Sequence, residues 1–226
     1  MKKYLLLLFV SAFIMACSNS KSEEDGVEQG EENFEEKGLF GKLNAIKKMG
    51  EGIVEEQKNA SEAMEKRLEN GDTIPFHFKQ LKAIMPEISG YEKEKDEGSS
   101  VQYGMGSYST ATANYKNADG NTIKVTIMDY SGVYTLYTSM LGVAKTGYKM
   151  ETDDMVSRTI EFDEGYKGME TVHTKEGNKR VELMVGVDYR FVVQINAKGT
   201  DDYKMIREAV KSIDFDSLEH TEVEEV

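Results

Sequence analysis

Tryptophan is missing from this chain; proline occurs twice, histidine three times and cysteine once in 226 residues. A single cysteine excludes a disulfide within the chain, so any folded domain is held by its own core. The three histidines, His77, His173 and His220, are scattered. No two stand at the four-residue helical spacing or the next-but-one strand spacing that converges on an ion, so no metal is expected. Basic residues are short as well, 28 Lys and Arg against 41 Asp and Glu, a net charge of −13. Such a chain repels phosphate backbones and anionic headgroups, which removes nucleic acid and charge-driven membrane binding from the expected partners. Long apolar runs are lacking too, except at the N-terminus.

There Lys2 and Lys3 precede Leu5-Leu6-Leu7-Leu8-Phe9-Val10, the run continues to Ile14, and Ala16 stands before Cys17. Basic, apolar and small residues in that order read as a secretory signal peptide over 1–16. From Tyr4 to Ala16 a helix would cover roughly 20 Å at about 1.5 Å per residue, too short for a hydrocarbon core of about 30 Å. The junction Ile14-Met15-Ala16-Cys17 resembles the lipobox of bacterial lipoproteins. The resemblance implies cleavage before Cys17, a diacylglyceryl group on its thiol and an acyl chain on its new amino group, which together anchor firmly in a membrane. Neither Ser18 nor Asn19 is Asp, and by resemblance to envelope sorting this implies the outer membrane, on its periplasmic or surface face. Lys21-Ser22-Glu23-Glu24-Asp25 resembles the surface-export tag of Bacteroidetes lipoproteins; read from composition alone, 17–37 is a flexible acidic tether.

Beyond the tether, Leu39, Leu43, Ile46, Ile53, Ala60 and Met64 fall on a stripe of three- and four-residue steps, with Gly50 and Gln57 in two of its places, predicting an amphipathic helix over 38–72 that Gly71 and Asp72 end. It is read as a spacer, as a helix lying on its own domain, or as a seam for self-assembly. A single globular domain is expected over 75–218, followed by an acidic tail over 219–226. Within the domain, Phe78 to Ile84 reads as a short helix stopped by Pro86. The period then becomes two: Val101 to Lys116 and Thr122 to Tyr130 read as strands joined by a turn at Asn117-Ala118-Asp119-Gly120. A helix is predicted over 133–144, then three or four strands, the clearest at Arg180 to Val187 and Tyr189 to Asn196, and a last helix capped by Thr200 with the stripe Tyr203, Ile206, Val210 and Ile213.

The fold class expected is α+β: an antiparallel sheet with helices packed on one face, preceded by the long amphipathic helix. The order helix, strands, helix, strands, helix resembles the Mog1/PsbP-like sandwich, which implies a binding or accessory protein. The pattern of Leu81 to Pro86, Gly90, Ser109 to Tyr115, Asp119-Gly120, Asp129, Arg190-Phe191 and Asp214 to Leu218 resembles a family of uncharacterised bacterial lipoproteins. Neither resemblance brings a catalytic motif, and fold alone does not fix function.

Residue patterns for chemistry are sparse, and no cofactor or catalytic residue is expected. Asn117 to Asn121 offers alternate oxygens, but position twelve of a calcium loop would fall on Met128 instead of a bidentate Glu. Gly104-Met105-Gly106-Ser107-Tyr108-Ser109 has two glycines of the three a phosphate loop needs. No Gly-x-Ser-x-Gly elbow exists; Ser131 reads as a turn residue, and Asp129 stands at a strand end. His173 with Glu170, Glu161 or Glu182 on neighbouring strands is the arrangement that a small-ligand site or a hydrolase-like enzyme would use. Against it stand thirteen Met and twelve Tyr, residue types suited to adaptable contact surfaces. Tyr103, Tyr108, Tyr115, Tyr130, Tyr134 and Tyr137 cluster in sequence and form the candidate surface for an envelope protein partner.

Overall fold

Alternation of apolar and polar residues organises most of the chain, and the strands it dictates pair into one sheet. A computed structural model describes residues 54–55, 57–102, 106–131, 137, 147–163 and 165–218. Cys17, the 17–37 tether, Tyr103, Tyr134, His220, the 219–226 tail, positions 38–53 of the first helix and, apart from Tyr137, the helix expected over 133–144 lie outside the described residues.

A helix over residues 57–69 (α1) buries Ala60 and Met64 and leaves Leu68 exposed. It ends as expected at Gly71, whose φ of +73° only glycine adopts at low cost. Helix α2 (Phe78–Ala83) opens on a capping box: His77 Nδ1 accepts from the Lys79 N–H at 3.3 Å, and Gln80 Oε1 accepts from the His77 N–H at 3.0 Å. Eight antiparallel strands follow: β1 (Glu92–Val101), β2 (Tyr108–Lys116), β3 (Thr122–Asp129), β4 (Lys149–Thr152), β5 (Met155–Glu161), β6 (Lys167–His173), β7 (Arg180–Val187) and β8 (Phe191–Lys198). Their order is β1-β2-β3-β8-β7-β6-β5-β4, two meanders joined where β3 pairs with β8. Helix α3 (Tyr203–Lys211) and a short 3-10 turn at Phe215–Ser217 complete the fold.

The molecule is mostly β, with more strand than the expected class implied. Two short helices, α2 and α3, share one face of the sheet. There Leu81, Met85 and Ile88 from α2 and its exit, and Ile206, Ala209 and Val210 from α3, join one buried core with the inward residues of β2, β3, β6, β7 and β8. Ile123, Val125 and Ile127 pair with Ala197, Ile195 and Val193. Each fully buried aliphatic side chain of this set contributes about 1.5–3 kcal/mol.

Three sequence expectations are corrected. The strand predicted over 101–116 is β2 alone, with a separate β1 before it. That strand, Glu-Lys-Glu-Lys-Asp-Glu at its start, is an exposed sheet edge with a register shift between Lys93 and Lys95, and charge plus irregularity is how an edge resists further pairing. Gly98 within it leaves room for Phe78, since a Cβ there would stand 2.6 Å from Phe78 Cδ2. Strand β8 starts two residues late because Asp188, Tyr189 and Arg190 form the turn. The cap of α3 is Asp202, whose Oδ1 accepts from the Met205 N–H at 3.1 Å, while Thr200 Oγ1 accepts from the Asp202 N–H.

Candidate functional site

The end of the sheet where β3 finishes and β7 turns into β8 gathers most of the polar chemistry. Apolar alternation places Asp129 on the helix-covered face, opposite Phe191. Its carboxylate is fully buried. Oδ2 accepts from the Phe76 N–H at 2.9 Å and Oδ1 from the Ser131 N–H at 2.9 Å. Arg190 donates to it through Nε (3.1 and 3.2 Å) and Nη2 (3.0 Å). The same guanidinium reaches Asp72 through Nη1 at 2.9 Å to each oxygen and the Ile74 carbonyl through Nη2 at 3.2 Å. Phe76 and Phe191 cover it, their ring centroids 4.2 and 5.2 Å from Cζ. Arg190 is thus desolvated and paired on every side, as a buried cation must be.

Arg67, from the last turn of α1, donates to the carbonyls of Asp188 (3.4 Å) and Tyr189 (3.0 Å). Burial, then the like charge of Arg190, pulls its guanidinium below the ordinary value, opposed by Asp72 and Asp129. Among the described residues, Ser131 Oγ is buried without a hydrogen-bond partner.

On the opposite face, at the same end, Tyr130, Tyr137 and Val192 form a second buried cluster, flanked by partly exposed Tyr108, Met128, Met169, Met184 and Tyr189. The Tyr130 hydroxyl donates to Met128 Sδ at 3.2 Å, and burial, then Tyr108, raises its phenol. Tyr137 and Tyr189 pack with centroids 5.9 Å apart. The structure therefore brings Tyr108, Tyr130 and Tyr137 together. It separates Tyr115, which lies in the main core with its hydroxyl donating to the Pro86 carbonyl at 2.7 Å. Tyr189 is a member the sequence reading missed.

The carboxylate cluster expected at His173 does not assemble. Glu170, three residues away and so of opposite parity in β6, points to the helix-covered face. It is fully buried there by Arg158 (Nε 3.0 Å, Nη2 2.8 Å) and Arg207 (Nε 2.7 Å, Nη2 2.8 Å). Against burial, which lowers it, the bonds to Glu170 hold the Arg158 guanidinium above its ordinary value, and both guanidiniums flank the Tyr203 ring. Glu161 pairs with Lys167 at the far end of β6 from His173, and Glu182 is bound by Arg180 at 3.0 Å. His77 is a helix cap. Asn117 Oδ1 accepts from the N–H groups of Asp119 and Asn121, so the oxygens considered for calcium build the hairpin turn. Among the described residues no group of three or more His, Cys, Asp and Glu side chains gathers as a metal site requires, and no helix is long and apolar enough to cross a membrane.

No protein-family model, curated protein or solved structure matches this chain. The geometry alone carries the reading of this site.

Proposed function

We propose that the protein is a lipid-anchored accessory module of the bacterial cell envelope that binds a partner protein instead of turning over a substrate. Cys17 carries the anchor, placed in the outer membrane by the residues that follow it, and the acidic tether over 17–37 holds the domain away from the bilayer. The partner surface is the tyrosine–methionine end of the sheet face opposite α2 and α3. The observation that carries this is the grouping there of partly exposed Tyr108, Tyr189, Met128, Met169 and Met184 around buried Tyr130 and Tyr137. Met repacks against varied shapes and Tyr gives contact area with a polar tip, the residue types enriched at protein interfaces. The resemblance of Ile14-Met15-Ala16-Cys17 to a lipobox supports the anchor.

The test places a photocrosslinking amino acid at Met184 of the intact protein in its native envelope. One reproducible protein adduct is expected, lost on Tyr108→Ala or Met169→Glu. Capture of lipid alone, or an adduct indifferent to both changes, refutes the surface. For the anchor, palmitate label enters the wild type and is absent from an uncleaved Cys17→Ala precursor; equal labelling refutes the lipobox reading.

A further inference from the structure

The β7–β8 turn is held in an uncommon shape, closed by the Arg190 N–H on the Val187 carbonyl and held further by residues far upstream. Asp188 and Tyr189 have φ of 52° and 53°, the left-handed region; Asp tolerates it, whereas a tyrosine stays there only when its surroundings over-determine it. Residues 67–76 supply such surroundings. Arg67 takes the carbonyls of both left-handed residues, Asp72 and Ile74 take the guanidinium of the third turn residue, Arg190, and the Phe76 ring covers that guanidinium.

The contacts fall into two layers. Asp129 and Arg190, with side-chain exposures of 0 and 7%, form an almost fully buried inner pair. Asp72 is 31% exposed at its side chain and Arg67 is half-buried, so water competes for the outer layer. The outer layer can let go while the inner one stays. Its release takes the Arg67 donor from the carbonyls of both left-handed residues, and the turn loosens. Arg190 points to the helix-covered face while Tyr189 packs on Tyr137 at the other, so relaxation of the turn moves a residue of the tyrosine–methionine surface.

We propose that residues 67–74 are a strap that fixes Tyr189 on the partner surface, so that displacement of the strap by the segment before it reshapes that surface. This rests on the reading of that surface as the partner site.

The test uses the full chain with Arg67→Ala and, separately, Asp72→Ala; Arg67→Met keeps the aliphatic length in case α1 does not tolerate alanine. Lys82→Ala, which removes the 3.1 Å ion pair between α2 and β1, is the control for a lost surface contact elsewhere. Hydrogen exchange is read at the amides of Arg190, bonded to the Val187 carbonyl, and Tyr130, bonded to the Arg190 carbonyl. Arg67→Ala speeds exchange at both at least tenfold over wild type and over Lys82→Ala, and Asp72→Ala about fivefold, with β5 and β6 amides unchanged. In a Tyr189→Gly background, where positive φ carries no strain, Arg67→Ala speeds it less than threefold. Exchange unchanged by the strap variants overturns the strap, whatever the envelope experiment gives. A Met184 adduct formed equally by wild type and by variants with a loosened turn overturns the regulatory consequence and leaves the surface standing. No adduct in wild type overturns the surface and the regulation with it, while the exchange rates still decide whether the strap holds the turn.

Discussion

Asp129→Ala should be among the most damaging single changes in the domain, and Asp72→Ala, which removes a carboxylate from the same arginine, should be mild. Asp129 is fully buried and holds Arg190 together with the N–H groups of Phe76 and Ser131. Its removal breaks a buried ion pair, worth about 3–5 kcal/mol, and orphans two buried N–H groups at about 1–3 kcal/mol each where water cannot follow. Asp72 still neutralises part of the guanidinium, so about 4–6 kcal/mol is expected, a large share of the roughly 5–15 kcal/mol that holds a typical domain. Asp72 is partly exposed, and Arg190 without it keeps Asp129 and the Ile74 carbonyl, so the expected cost is about 1 kcal/mol. Because the chain has no tryptophan, urea unfolding is followed by far-ultraviolet circular dichroism. Equal costs for the two substitutions, or an Asp129→Ala loss under about 1 kcal/mol, would refute the two-layer account of this network.

Three further outcomes are expected. Ser131→Ala removes a buried hydroxyl that makes no hydrogen bond and should stabilise by about 0.5–2 kcal/mol; a lowered melting temperature contradicts the burial described. Glu170→Leu leaves Arg158 and Arg207 facing an apolar group and should cost about 3 kcal/mol, less than a fully enclosed pair because both arginines retain access to water, whereas Arg158→Met, Glu170→Leu and Arg207→Leu together should recover most of it; a triple variant no better than the single one would count against the account. Burial pushes the Tyr115 phenol up to about 12 from an ordinary 10, so the folded state holds its proton more tightly. Stability is at its plateau below pH 10 and falls by up to roughly 3 kcal/mol as pH rises through 12; Tyr115→Phe should flatten that fall at a neutral-pH cost of about 1 kcal/mol, and identical alkaline unfolding curves would exclude the effect.

Much of the sheet was legible because burial on one face imposes a period of two. Thr122 to Asp129 alternates cleanly, Arg180 to Val187 and the apolar run into Asn196 alternate until both faces are buried where the two meet at the turn, and each is a strand. Strand β1 was not legible, since an exposed edge has no inward face to write a pattern and Glu-Lys-Glu-Lys reads as loop or helix. The His173 cluster failed on the same rule that found the strands. Residues three apart in a strand face opposite ways, and in β6 the inward set is Gly168, Glu170 and Val172. A glutamate on that register is a charge the core must neutralise, which was a readable signal. Its partners, Arg158 and Arg207, were unreadable because only the pairing of β5 with β6 and the docking of α3 bring them near. Arg190 gave a comparable hint, a cation at the head of the run Phe191 to Val193, but Asp72 and Asp129 are 118 and 61 positions away.

The two buried carboxylates divide the work of closing the fold. A chain with one cysteine cannot staple distant segments by disulfides. Asp129 gathers the stretch ahead of α2, the end of β3 and the β7–β8 turn, while Glu170 ties β5 and β6 to the last helix. Net gain from a buried ion pair is small because desolvation offsets the attraction, so neither cluster is needed to make the core cohere; the aliphatic pairs of β3, β7 and β8 do that. What each carboxylate adds is a penalty for the wrong arrangement, since a strap or helix docked out of place leaves a carboxylate in the core without its arginine. The apolar sheet therefore sets how much stability there is, and the carboxylates set where the first and last described segments dock. That separation lets the outer contacts at Asp72 and Arg67 come and go without costing the fold its core.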